Sequence, residues 1–182
     1  MHLYSGIGET LRHAFFQVGS LVTTTGYSTT DFNLWPELSK TILILLMIIG
    51  ACAGSTAGGF KISRMLILLK SVKRELSIMI HPREIKKIRL DGHVVKPEVI
   101  QTAHVYLIIY CALFLLSILL ISIDNFDFTT NFTAVAATFN NIGPGLAGVG
   151  PTQNFGGFSG LAKLVFILDM LIGRLEIFPI LV

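Results

Sequence analysis

Val22-Thr23-Thr24-Thr25-Gly26-Tyr27-Ser28-Thr29-Thr30-Asp31 sets a run of hydroxyl side chains around one glycine. It lies between an apolar stretch from His13 to Leu21 and a longer one from Thr41 to Ile49. The run is poor material for a helix or a buried strand, and its chemistry lies in oxygen. Glycine takes backbone conformations that turn carbonyl oxygens the same way, and threonine hydroxyls add further oxygen at the same depth. Oxygen-lined backbone between two apolar segments is the material of a selectivity filter for a hard, dehydrated cation. A second glycine turn, Asn140-Asn141-Ile142-Gly143-Pro144-Gly145, follows the short apolar stretch Phe132 to Phe139.

A third stretch, Gly50-Ala51-Cys52-Ala53-Gly54-Ser55-Thr56-Ala57-Gly58-Gly59, has four glycines and no large side chain. It interrupts an apolar run from Thr41 to Leu69 that as one helix would be roughly 43 Å long, beyond a hydrocarbon core of roughly 30 Å. Glycine costs a helix about 1 kcal/mol per residue relative to alanine. The stretch is therefore either unwound backbone lining a wet cavity or a close-packed small-residue helix crossing. A phosphate-binding loop fails on spacing, because Phe60 separates Gly59 from Lys61 and no Ser or Thr follows the lysine directly.

The elements that must hold these stretches are membrane helices. The chain of 182 residues is 52% hydrophobic and 14% charged, with a mean hydropathy of +0.71, outside the range of ordinary soluble domains. Ala103 to Ile123 is an uncharged run of 21 residues, the clearest spanning helix. Leu161 to Val182 is apolar enough to span, although Asp169, Arg174 and Glu176 interrupt it. No basic region followed by an apolar one opens the chain, so no signal peptide is expected. Cys52 and Cys111 both lie in hydrophobic segments and are expected to be small buried thiols, not a disulfide or a metal pair.

Charge sets the orientation. Ten of the 14 Lys and Arg fall between Lys61 and Lys96, whereas Thr29 to Leu38 and Asp124 to Gly160 contain none. By the positive-inside rule the basic block is cytoplasmic and the two basic-free segments face outside. With no interleaved aromatics the block does not read as a nucleic-acid surface. Met65 to Ile80 sets Met65, Leu68, Leu69, Val72, Leu76, Met79 and Ile80 on one face and Lys70, Lys73, Arg74 and Ser77 opposite, a helix leaving the membrane with its basic face wet. Pro82 ends it. Lys87 to Val95 alternates about Asp91-Gly92, which predicts a short cytoplasmic hairpin packing at the inner face.

The two halves repeat. Phe15 precedes Gly26 by eleven residues and Phe132 precedes Gly143 by eleven, with Val18 and Val135 in the same register. Pro36 and Pro151 follow, and each half then enters its final hydrophobic segment. The shared unit is a short apolar helix, a glycine turn and an outer spanning helix. A short helix dipping into lipid must be ringed by other helices, so one unit supplies one quarter of a pore. The expected architecture is all-α and membrane-integral. Residues 1–80 form a partial pore repeat, 81–100 a cytoplasmic linker with a hairpin, and 101–182 a complete repeat. That is less than a closed ring.

At these residues the chain resembles the Trk/Ktr/HKT potassium transporters, and within them the TrkH-type subunit. Thr24-Thr25-Gly26-Tyr27-Ser28 resembles that family's third filter and Asn140 to Leu146 its fourth. Gly50 to Lys61 is similar to the intramembrane loop that interrupts an outer helix, and Gly173-Arg174-Leu175-Glu176-Ile177-Phe178 to the end of the last helix. The resemblance covers essentially the whole chain, though it lacks two repeats and the first helix of a third. It implies potassium uptake, or sodium in some relatives, through a pseudo-fourfold filter in the bacterial inner membrane. Carbonyls near Thr24, Thr25, Gly26, Tyr27, Asn141, Ile142 and Gly143 would line the filter, with potassium held at Thr24, Thr25, Asn141 and Ile142. The loop carrying Gly50, Gly54, Ser55, Thr56, Gly58 and Gly59 would be the gate, and Arg174 would project below the filter and hold it. Implied partners are the missing N-terminal repeats or a second copy, a homodimeric mate, a cytoplasmic nucleotide-binding regulatory subunit and the bilayer. Neither nucleic acid nor a cofactor is implied, and potassium is the substrate.

Arg174 carries its own physics. A guanidinium inside a spanning segment is costly by several kcal/mol unless it faces water or a partner. Glu176, two residues on, lies on a different face, and Asp169, five residues back, is poorly placed too. Within the sequence there is no Cys-His or Ser-His pair in a catalytic context, no carboxylate dyad and no metal spacing, so no enzyme is expected. Two other functions fit the same composition. One is a secondary transporter with re-entrant solute-binding loops, which would predict inverted repeats. The other is a truncated, non-conducting assembly subunit.

Overall fold

The computed structural model describes residue 4 and residues 6–50, 59–81 and 87–175. Six helices carry the fold: α1 (Ile7–Val22), α2 (Glu37–Ile48), α3 (Ile62–Ile80), α4 (Pro97–Ile121), α5 (Phe128–Phe139) and α6 (Gly160–Arg174). A two-stranded antiparallel hairpin, β1 (Arg89–Leu90) with β2 (His93–Val94), separates α3 from α4. Its turn residues Asp91 and Gly92 have φ of 48° and 81°, the positive values that a two-residue hairpin turn of this twist requires.

α4 is the longest element. Pro97 opens it where a missing N–H costs nothing, Glu98 sits in its first turn, and its 25 residues reach about 37 Å. It is the one span long and apolar enough to cross a membrane among the described residues, and only 28% of its most apolar window is buried. One side packs on the fold and the other is exposed. Cys111 lies on that outer side. The thiol expected to be buried is exposed, because in an apolar medium composition does not decide which side of a helix turns inward; Cys52 lies outside the described residues.

α5 is the opposite case, a short helix sheathed on nearly every side. From Thr130 to Asn140 every residue but Phe132 is buried, and α4, α6 and α2 all pack against it. Small residues make this close approach possible: Ala134, Ala136 and Ala137 are fully covered. Asp127 caps the helix by accepting from the Thr130 amide at 3.1 Å and from the Thr130 hydroxyl. Ser159 caps α6 on the Ala162 amide at 3.2 Å, and its own amide donates to Asp124 Oδ2 at 2.8 Å.

The long apolar run from Thr41 to Leu69 breaks within the expected stretch. α2 ends at Ile48 and α3 begins at Ile62, while residues 51–58 lie outside the described residues. α3 divides its surface in three. Ile67, Leu68 and Ser71 are buried, with Arg64 stacked over the Tyr106 ring at 4.1 Å. Leu69, Val72, Leu76, Met79 and Ile80 are exposed, and Lys70, Lys73, Arg74 and Ser77 line a groove with the hairpin. Leu68 was expected on the apolar outer face; it belongs to the packed one, because α4 covers that turn. The hairpin docks through buried Ile88, which joins Phe60, Tyr106 and Phe139 in one core cluster.

A separate cluster ties the halves together: Leu21, Phe32, Leu43 and Met47 from the first half close on Ile142 and Leu146 from the second.

Candidate functional site

α1 and α5 end in the same way. In both, the amide two places after the last helical residue folds back on the carbonyl three residues before it (Thr24 to Leu21, 3.1 Å; Asn141 to Thr138, 3.0 Å), and the next amide reaches five residues back (Thr25 to Ser20, 2.9 Å; Ile142 to Ala137, 2.8 Å). This double return is the Schellman ending, which needs a left-handed residue, usually glycine. Here it is Thr24 at φ 54° and Asn141 at φ 56°. Asparagine tolerates the conformation, but a β-branched threonine is held there at a cost of about 1–3 kcal/mol. Two residues on, Gly26 at φ 76° and Gly143 at φ 109° are also left-handed. The match holds the register of Phe15 with Phe132 at every step.

The two turns meet. A methyl group built on Gly26 would collide with the Ile142 carbonyl oxygen and would lie 3.3 Å from Pro144 Cδ. Gly26 is thus needed twice, for its φ and for the close approach. Neither α1 nor α5 has a basic residue in its last turn, so the negative ends of both helix dipoles are left unneutralised at the point where the turns converge.

Side chains brace this arrangement. Ser20 Oγ donates to the Tyr27 carbonyl at 2.6 Å, which engages that oxygen against α1, and Thr23 and Thr25 hydroxyls pair at 2.8 Å. The Tyr27 side chain is exposed. On the other turn, Asn141 Nδ2 donates to the Met170 carbonyl at 3.1 Å, fastening the turn to α6. Asn140 is fully buried, accepting from Tyr110 OH at 3.1 Å and donating to the Ala136 carbonyl at 2.8 Å.

Of the expected gate residues, Gly50 is buried at the end of α2 and Gly59 re-enters at φ 90°. A methyl group on Gly59 would lie 2.7 Å from Asn140 Oδ1, so the stretch returns directly onto the residue before the second turn. Gly54, Ser55, Thr56 and Gly58 lie outside the described residues. Gly173 seats α6 on the C-terminal end of α5, where a methyl group would strike the Phe139 carbonyl oxygen. Arg174 follows in the last turn of α6. The structure therefore brings Gly26, Ile142 and Pro144 together, with Asn140, Gly59 and Gly173 directly beside them.

Three supports were not foreseen. Asn33 brackets the second loop from the first half, accepting from the Ala147 amide at 2.8 Å and donating to the Ala147 carbonyl at 3.4 Å. Thr152 donates to Asp31 Oδ2 at 3.2 Å, 121 residues away. Inside the helices, Ser117 Oγ donates to Asp169 Oδ1 at 2.7 Å, joining α4 to α6. Only the Asn-x-x-Pro spacing of Asn33 and Pro36 hinted at a turn; none of the long-range partners could be read locally. No group of three or more His, Cys, Asp or Glu gathers as a metal site among the described residues.

A family model described as TrkH, cation transport protein, matches residues 5–182. The Trk system potassium uptake protein TrkH of Salmonella typhimurium is 38% identical over 181 residues, covering 100% of this chain and 37% of that protein. TrkG of Escherichia coli, also described as a Trk system potassium uptake protein, is 34% identical over 170 residues, covering 93% of this chain and 35% of its own length. Among solved structures, the crystal structure of the potassium transporter TrkH from Vibrio parahaemolyticus superimposes with a TM-score of 0.88 at 38% identity, covering 99% of this chain and 38% of that one. The chain thus spans little more than a third of the length of the relatives it matches.

Proposed function

Because the chain belongs to the TrkH cation transport protein family, whose members are transport proteins and not enzymes, we propose that it supplies two neighbouring quarters of a pore that takes potassium across a membrane. The observation that carries this reading is the contact of Gly26 with the Ile142 carbonyl, between two turns of the same backbone design. A positive φ at every second residue turns successive carbonyls toward one side instead of alternating them across a strand. Around a shared axis, such oxygens replace the hydration shell of a dehydrated cation. Thr24, Thr25, Asn141 and Ile142 supply the coordinating carbonyls, and the glycines allow the turns to approach. The negative ends of α1 and α5 add a field that favours a cation and repels an anion.

The glycine-rich stretch from Gly50 to Gly59 acts as the gate on this reading, supported by the seat of Gly59 on Asn140. Arg174 sets a positive charge beneath the filter, supported by the neighbouring Gly173 lying on the end of α5. The remaining quarters come from further repeats or a second copy. A homodimeric mate and a cytoplasmic nucleotide-binding subunit complete the assembly in the bacterial inner membrane.

Growth of a potassium-uptake-deficient bacterium at limiting potassium tests the filter. The transporter restores growth, and Gly26→Ser abolishes the rescue at equal membrane abundance. Gly19→Ala, where an added methyl meets nothing within 4 Å, retains it. Equal growth with Gly26→Ser and with the parent overturns the filter assignment.

A further inference from the structure

We propose that the groove between α3 and the hairpin binds the phosphate of an anionic phospholipid in the cytoplasmic leaflet. The groove has a volume of about 380 Å³ and is lined by Lys70, Lys73, Arg74, Ser77, Lys87, Ile88 and Arg89. Among the described residues that line it, five are cations and none is a carboxylate. Like charges at this density repel one another, and two of them are already tied in place. Lys70 Nζ donates to the Arg89 carbonyl at 2.7 Å, pinning the hairpin to α3, and Arg74 pairs with Glu75 at 2.6 Å. Lys73, Lys87 and Arg89 are exposed around the opening. A phosphate held in the groove, whose oxygens accept from several of these donors at once, offsets the crowding in a way that scattered counterions do not.

The source of that anion follows from what lies next to it on the same helix. Leu69, Val72, Leu76 and Met79 form a stripe of exposed apolar side chains, each more than half exposed. At 3.6 residues per turn the basic residues lie between this stripe and the packed face, and Lys73 borders the stripe. A helix with an apolar strip beside a basic edge lies at a membrane boundary, its lysine stems running along hydrocarbon while the ammonium groups reach the headgroups. The depth agrees. Arg74 also lines the cleft against Pro97, Ile100 and His104, at the start of the span, which is the height of the inner headgroups. A soluble phosphate or nucleotide would use the cations and leave the stripe bare, whereas a phospholipid covers both. Each Lys or Arg near an anionic leaflet contributes about 1 kcal/mol, a factor of about five in affinity.

Native mass spectrometry of the detergent-purified, assembled transporter supplies the test, with phosphatidylglycerol and phosphatidylcholine titrated separately. The parent retains phosphatidylglycerol in preference to phosphatidylcholine. Lys73→Gln and Lys87→Gln each weaken that retention about fivefold and together about 25-fold, while Lys163→Gln on α6 leaves it unchanged. Should the double variant fail to fold, the single variants carry the comparison. Equal retention of the two lipids by the parent, or undiminished phosphatidylglycerol on the single variants, overturns the proposal. Displacement of the lipid by millimolar inorganic phosphate assigns the groove to a soluble anion and also overturns it. So does a loss confined to capture of an acidic protein partner.

Discussion

Asp169 is 2% exposed inside an apolar helix, with Ser117 donating to Oδ1 and nothing bonded to Oδ2. Burying a polar oxygen without a partner costs about 1–3 kcal/mol, which offsets most of what the bond to Ser117 contributes. The rest of what holds this carboxyl in place comes from its surroundings: the next residue, Met170, offers its carbonyl to Asn141, and Gly173 locks onto α5 one turn later. Asp169→Asn keeps an acceptor for Ser117 and is expected to change stability by less than about 1 kcal/mol. Asp169→Ala leaves the Ser117 hydroxyl unpaired and opens a void behind the second turn, with an expected loss of about 1–3 kcal/mol. Thermal unfolding of the detergent-purified transporter separates them, and equal losses for the two variants would count against this account. In the sequence Asp169 stands only as an interruption of an apolar run. Its partner is 52 residues away, and no periodicity connects positions on two different helices. Gly26 and Gly143 were legible because their spacing from Phe15 and Phe132 repeats, and spacing is what a sequence displays directly.

Among the elements, α5 depends most on its ends, since it is short and its last turn closes on a left-handed residue, Asn141. Its Asp127 cap is held below the usual carboxylate range, first by the Thr130 hydroxyl and further by backbone amides, against a smaller opposing effect of burial. A depressed value in the folded state means that the cap contributes its full stability at neutral pH. The contribution is lost as pH falls below the ordinary carboxylate range and through the folded value. The carboxyl is exposed, so solvent screening keeps the effect small. Asp127→Ala is expected to lower stability by about 1 kcal/mol at pH 7, and Asp127→Asn, which still caps, by much less. As the carboxyl is protonated the gap between parent and Asp127→Ala should narrow to the one that separates Asp127→Asn from Asp127→Ala, as read from melting temperatures across the pH series. A gap that does not narrow at any pH at which the parent stays folded would show that the charge is not what the cap uses. Helix limits of this kind were legible where they rest on local chemistry, as with the Asp91-Gly92 hairpin turn and the break after Ile48. What faced where was not: Leu68 is packed and Cys111 exposed, because an apolar side chain on an outer face and one toward a protein core look alike in sequence.

For the whole molecule, three layers meet: two helix C-termini, two turns in contact, and the end of α6 seated against the second turn. The first two layers favour a cation by backbone dipoles. On the proposed reading the third opposes them, because Arg174 in the last turn of α6 follows directly on the glycine seated against the Phe139 carbonyl. A full positive charge within several ångströms of a cation's path costs that cation more than about 1 kcal/mol at the effective dielectric of a wet protein interior. On the proposed reading it acts as a brake that the filter's attraction must exceed. Arg174→Ala removes the brake and is expected to raise potassium flux severalfold in proteoliposomes. Arg174→Lys, which keeps the charge but not the planar fork, should stay near the parent rate if charge is the cause and rise with alanine if hydrogen bonding to the gate is. Unchanged flux in Arg174→Ala would remove this residue from the conduction path, and would leave Gly173 as the reason that the end of α6 packs where it does.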